Sequence, residues 1–187
     1  GQLLNDDELL TLAIAFEGHP DNVAPAMLGG CNFGDETRSY PLAWPSDWKT
    51  AVWIPEDALL TEAARQVLPT SYSRHHVVTA LRNSAQFLHA IHTKDAQLFS
   101  QTLEADVIHE PYRKTLIEGF NAFRIYMHSC ANVLGVTISG SGSTCLCVYP
   151  ESQQKAVTSA LNEWQSMWGG NTHVLAVEMN GAKIYSV

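Results

Sequence analysis

The sequence predicts an α+β fold, a two-layer sandwich of helices against sheet, on three observations. The last third runs strand, small-residue turn, strand, helix, strand, from "GVTISG" and "TCLCVYP" through a helical stretch at about 152–167 to "THVLAVEM". The middle third carries a succession of segments whose apolar residues recur at helical spacing. The composition, 45% hydrophobic and 16% charged over 187 residues, supplies apolar surface for one sizeable core, or two small lobes sharing one, and has no signature of disorder.

Each element follows from local pattern. Asp6 and Asp7 precede "ELLTLAIAFEG", in which Leu9, Leu10, Ala13, Ile14 and Phe16 predict a helix over about 6–18 with acidic residues at its positive end. Gly18 and Pro20 break it, and "DNVAPAMLGG" restarts a short helix with Asp21 near its start and Gly29-Gly30 at its end. Residues 31–49 predict a strand followed by a loop, and "KTAVWIP" a buried strand at 50–54 ended by Pro55. "TEAARQVLP" reads as a short helix with Thr61 as N-cap, and Val77, Val78, Leu81, Leu88 and Ile91 mark a longer amphipathic one. "AQLFSQTLEA" and "KTLIEGFNAFRIYMHSCA" predict two more helices.

Charge and composition exclude some function classes. The net charge is −8 and the 11 lysines and arginines are scattered, so nucleic acid is not expected as a partner. No apolar run approaches the roughly 18 residues of a membrane span, and the acidic start is not a basic leader, so a soluble, cytoplasmic protein without membrane partner is expected. Cys31, Cys130, Cys145 and Cys147 contain no Cys-x-x-Cys pair and fit a reduced compartment better than a thiolate metal site. Strand alternation puts Cys145 and Cys147 on one face.

Three features can carry chemistry. In "EGHPDNVAPAMLGG", Glu17 and His19 flank a forced turn and Asn22 opens the next helix. A carboxylate, an imidazole and an amide can there converge on one small polar ligand, Glu17 being the hard oxygen donor that magnesium takes. The plainer alternative is helix capping by Asp21 or Asn22, a solvated Glu17 and a turn-filling His19. Second, Ser139-Gly140-Ser141-Gly142-Ser143 between two strands offers backbone amides and hydroxyls to an anion, or is simply a tight hairpin. Third, Thr70 and Arg74 in "LPTSYSRHH" and Arg113 in "HEPYRKTL" offer guanidinium forks for a carboxylate, although solvated surface arginines are commoner. Among His75, His76, His89 and His92, the last two share a helical face and look ligand-like, yet near a helix end they more often complement its dipole or cap it.

Taken in order, "EGHPDNVAPAMLGG", "VLPTSYSR", "HEPYR" and "GVTISGSGST" resemble the homoserine kinases of the GHMP small-molecule kinase superfamily, which includes galactokinase and mevalonate kinase. The resemblance implies a C-terminal ferredoxin-like domain at 49–187, preceded at 1–48 by the remainder of an N-terminal nucleotide-binding domain. The family's N-terminal half, with its Pro-x-x-x-Gly-Leu-Gly-Ser-Ser phosphate loop, has no counterpart in these residues. The chain is therefore expected to be a fragment that does not bind nucleotide normally by itself. Ser143 stands where the family's glycine-rich motif has proline.

By the same resemblance the reaction is transfer of the γ-phosphoryl group of ATP to L-homoserine, giving O-phospho-L-homoserine in threonine biosynthesis, with Mg2+ as the metal. The catalytic residues implied are Glu17, as magnesium ligand, and Asn22. His19, Asn22, Thr70, Arg74 and Arg113 line the homoserine pocket, and Ser139, Gly140, Ser141, Gly142 and Ser143 face the nucleotide. A homodimer is allowed. The alternatives are another kinase of the superfamily, or a non-catalytic binding or assembly module built on the same half-fold.

Overall fold

The computed structural model describes residues 4–35 and 37–183. They form two compact units, 4–44 with 177–183, and 45–176. The expected helices and strands are present in both, with shifted ends and three local corrections.

The smaller unit begins with α1 (Asp6–Glu17), whose N-terminus is closed by a capping box: Asn5 accepts from the Glu8 amide and Glu8 accepts from the Asn5 amide, both at 2.9 Å. Leu10 and Ile14 bury against Ala24 of α2 (Val23–Leu28). Residues 31–49 are not one strand and a loop. β1 (Cys31–Gly34) and β2 (Ser39–Leu42) pair antiparallel, with Phe33 stacked on Tyr40 at 5.3 Å. The hairpin turn is built by Asp35, which accepts from the Thr37 and Arg38 amides, a side-chain-driven turn that the Asp/Thr composition concealed. The residues after Val177 return to this unit, where Gly30 donates to the Glu178 carbonyl and Ala182 to that of Met27. This return requires Gly29, because a Cβ there would lie 2.4 Å from the Gly181 nitrogen.

The larger unit is built on a four-stranded antiparallel sheet in the order β4-β5-β3-β6, from β3 (Trp48–Ile54), β4 (Gly135–Ile138), β5 (Cys145–Pro150) and β6 (Asn171–Leu175). Helices fill the β3-to-β4 connection and α8 (Gln154–Trp168) the β5-to-β6 one, which is the βαββαβ topology of the ferredoxin-like fold. Between β3 and β4 lie α3 (Thr61–Gln66), α4 (Arg74–Thr93), α5 (Ala96–Leu103), α6 (Glu110–Arg113) and α7 (Phe120–Cys130). The core packs α7 and α8 on the sheet: Trp53, Phe120, Phe123, Met127, Val157 and Trp164 are among its buried residues. Cys145 and Cys147 both point into this core, as the strand alternation required.

Two helix expectations need correction here. Residues 114–131 are not one helix. Lys114–Leu116 form a single 3₁₀ turn, Ile117 is extended and buried, and α7 starts only after Gly119, which sits at φ 81°. Thr61 is not a cap, since Leu60 holds the N-cap position and no side chain caps α3. α4 is present at full length and capped by Ser73, but Val77, Val78 and Leu81 are exposed and its buried residues are Ala90 and Ile91. The apolar spacing located the helix, but of the residues that marked it only Ile91 is fully buried.

Candidate functional site

In the smaller unit, α1 ends at Glu17 and the chain turns through Gly18 and His19 into α2. The turn brings His19 Nε2 to 3.8 Å from Glu17 Oε1, while His19 Nδ1 is buried without a partner. Asn22 precedes α2 but makes no capping bond, so its amide is not consumed by the helix. Beside it a cavity of about 280 Å³ is lined by Asp21, Asn32, Arg38 and Ser39, whose hydroxyl is also buried and unpartnered. Among the described residues no group of three or more His, Cys, Asp or Glu is placed to hold a metal ion. A single exposed carboxylate such as Glu17 still fits magnesium, which takes one or two protein carboxylates and completes its shell with water and phosphate oxygens.

In the larger unit the three predicted segments meet around Arg113. The Tyr72 hydroxyl donates to the Ile108 carbonyl at 2.8 Å and its ring packs edge-on against Tyr112 at 6.3 Å. These contacts fasten the loop carrying Thr70 and Arg74 to the turn carrying Arg113. Arg113 donates from Nε to the Ala64 carbonyl and from Nη1 to the Gly140 carbonyl, both at 3.2 Å. Those bonds use two of its five N–H groups, leaving the Nη1/Nη2 end of the fork for a carboxylate. Thr70 and Arg74 are exposed, Arg74 being the first residue of α4.

The glycine-rich segment Ser139–Ser143 is a tight loop closed by two internal bonds, Ser139 amide to Thr144 carbonyl at 2.8 Å and Gly142 amide to Ser139 carbonyl at 3.0 Å. Among the described residues the amides of Gly140, Ser141 and Ser143 have no backbone partner, so they remain available to an anion. Thr61 and Ser141 share a hydroxyl contact at 3.4 Å. Gly140 lines a cavity of about 120 Å³ with Asp106, His109, Glu110, Arg113 and Thr137. Ser143 lines another, of about 580 Å³, with Glu56, Asp57, Glu118 and Trp168. The loop therefore has a small polar hollow on one side and a larger acidic and aromatic one on the other.

Sequence reasoning missed the charges beneath this site. Asp106 accepts from the amides of Ile108, His109 and Glu110 and so starts α6. Glu110 is buried, 6% exposed, and holds Arg124 through both carboxylate oxygens. Arg124 also donates from Nε to the Val136 carbonyl at 2.9 Å and lies over the Phe120 ring at 4.7 Å. Glu104 accepts from the Val136 amide at 2.6 Å and from His128 Nε2 at 2.8 Å. The only sequence signal was the opposite sign of Glu110 and Arg124 in segments whose pairing the sequence does not encode. The four cysteines are free, and burial pushes the Cys145 and Cys147 thiols up to about 12. No helix among the described residues is long and apolar enough to cross a membrane.

Residues 87–166 match the family described as GHMP kinases C terminal. Over that range the chain is similar to the C-terminal domain of GHMP kinases. The matched range contains Arg113, the Ser139–Ser143 loop and the Glu110–Arg124 pair, whereas Glu17, His19, Asn22, Thr70 and Arg74 precede it. Relatives extend the match. A homoserine kinase of Synechocystis sp. is 36% identical over 98% of this chain and 61% of its own length, and one of Nostoc punctiforme is 36% identical over 99% and 62%. The crystal structure of homoserine kinase from Cytophaga hutchinsonii aligns with a TM-score of 0.86 at 24% identity, covering 97% of this chain and 61% of that one. This last likeness is one of fold. The chain thus spans about 61% of the length of these curated relatives.

Proposed function

We propose that this chain is the C-terminal portion of a homoserine kinase, which transfers the γ-phosphoryl group of ATP to the side-chain hydroxyl of L-homoserine. The observation that carries the reading is identity of about 35% to curated homoserine kinases over nearly the whole chain. On this reading residues 1–48 are the remainder of the nucleotide-binding domain and 49–187 the C-terminal domain. The change of compact unit after Trp44 falls near the first boundary, whereas residues 177–183 return to the first unit. The enzyme serves threonine biosynthesis in the cytoplasm.

The roles follow from chemistry at each position. On this reading Arg113 and Arg74 bind the amino-acid carboxylate through charge-assisted bonds, and Thr70, His19 and Asn22 are further substrate-binding residues. Because Arg113 is already fixed on two carbonyls, its fork is pre-set and little side-chain entropy is lost on binding. The amides of Gly140, Ser141 and Ser143, with the hydroxyls of Ser139, Ser141 and Ser143, face the phosphates. Glu17 holds Mg2+ as one hard oxygen ligand, and when bound the ion offsets phosphate charge. An asparagine at position 22 cannot accept the hydroxyl proton at neutral pH, so rate enhancement rests on alignment and charge stabilisation.

The test is phosphoryl transfer by the longer parent enzyme, measured as ADP release against L-homoserine, mevalonate and shikimate, with calorimetry of L-homoserine on the 187-residue chain. Turnover restricted to L-homoserine is expected. Preference for another alcohol assigns the chain to a different superfamily kinase, and binding without turnover in the parent assigns it to a non-catalytic module.

A further inference from the structure

β4 is an edge strand, and an edge strand leaves backbone N–H and C=O groups without a neighbouring strand to pair them. At Val136 both groups are taken by side chains instead: its amide donates to Glu104 and its carbonyl accepts from Arg124. Arg124 in turn grips the buried carboxylate of Glu110, which also lies 3.5 Å from the Thr137 hydroxyl. Two sequence relations give this arrangement its meaning. Glu110 stands three residues before Arg113 in α6, and Val136 stands three residues before Ser139 in the strand that feeds the loop. The pair therefore ties the turn that carries Arg113 to the strand that carries the glycine-rich loop. The bond from Arg113 to the Gly140 carbonyl closes the same circuit.

Stability alone is a weak reason for such a pair. Taking a carboxylate and a guanidinium out of water is costly, and well-packed apolar residues of similar volume often serve a fold equally well. What an apolar pair lacks is direction. A planar fork bonded to a carboxylate and a carbonyl at once sets position to a fraction of an ångström. We propose that Glu110 and Arg124 are positioning residues, holding Arg113 and the Ser139–Ser143 loop in one fixed relation. The functional weight of that relation rests on the reading above, in which both face ligand; the mechanical claim stands without it.

Hydrogen exchange on the 187-residue chain separates positioning from stability. The Ser139 and Gly142 amides, both hydrogen-bonded inside the loop, report its order, and the amides of β5 report the core. Arg124→Lys keeps the charge but cannot span a carboxylate and a carbonyl in one plane, and the double variant Glu110→Met/Arg124→Met keeps volume without charge. In both, exchange at Ser139 and Gly142 is expected to accelerate by about tenfold or more with β5 unchanged. Unchanged loop exchange overturns the proposal. So does equal acceleration in β5, which assigns the pair to global stability. Titration of the wild type and of Arg113→Met with L-homoserine tests the ligand reading independently, because identical responses there leave the exchange result standing.

Discussion

Arg113 is fixed by the fold through part of its guanidinium and left open through the rest. Two of its N–H groups are committed to the Ala64 and Gly140 carbonyls, and the remaining end of the fork is what a carboxylate would use. Arg113→Lys keeps the charge and loses the fork, so on the proposed function it should raise the KM of the parent enzyme for L-homoserine by about tenfold or more with a smaller effect on ATP. Steady-state kinetics in both substrates checks this, and equal effects on the two would remove Arg113 from the carboxylate. At the same scale, Cys145 and Cys147 stay protonated in the fold far above the ordinary thiol value of 9.0, because burial disfavours the thiolate. The unfolded chain releases those protons once pH passes about 9, while the folded chain keeps them to about 12. Stability is therefore complete below pH 9 and falls as pH rises through that window, by about 1 kcal/mol per unit for each thiol. Denaturant midpoints from pH 8 to 11 should show the decline, and Cys147→Ala should reduce its slope.

The glycine-rich loop depends on its glycines unequally. Gly142 adopts φ +93° and a Cβ there would stand 2.8 Å from Ile117 Cδ1, whereas Gly140, at φ +59°, has nothing within 4 Å of that position. Gly142→Ala combines backbone strain with a contact that Ile117 must move aside to relieve, and should destabilise by about 1–3 kcal/mol. Gly140→Ala bears the strain alone, about 1 kcal/mol. Urea unfolding of both variants tests the ranking, and a reversed order would mean that the loop relaxes around position 142. Ile117, the residue that makes the difference, is buried because the helix expected through 114–131 is interrupted before Gly119.

Over the whole molecule the apolar surface is unevenly covered. In the larger unit α7 and α8 bury Phe123, Met127, Leu161 and Trp164 on the sheet. In the smaller unit α1 buries Leu10 and Ile14 but leaves Leu9, Leu12 and Phe16 exposed, Phe16 at 94%. Exposed apolar stripes of this kind favour association despite a net charge of −8. Light scattering should show self-association that rises with concentration, and Phe16→Glu should weaken it by about tenfold. A monomer at all concentrations would mean that the stripe is too small to drive association.

The sequence by itself determined the elements and their class, because apolar period, capping residues and glycine or proline breaks act within a few residues of one another. α1 with its acidic first turn, α8 and the β4 and β5 pair were all legible on that basis. Thr61 was misjudged as a cap, since capping depends on the direction from which the chain enters the helix. The β1–β2 hairpin was missed because its turn is set by the side chain of Asp35. Only the tertiary structure decided that Arg113 lies on Gly140, that Tyr72 fastens its loop to α6, and that Glu110 and Arg124 meet beneath Val136. Such pairings join residues 12 to 36 positions apart, and no local preference encodes them. They exist because the sheet and its helices first bring those positions within reach, after which buried charges and open backbone groups must find one another or bear the full cost of lost hydration.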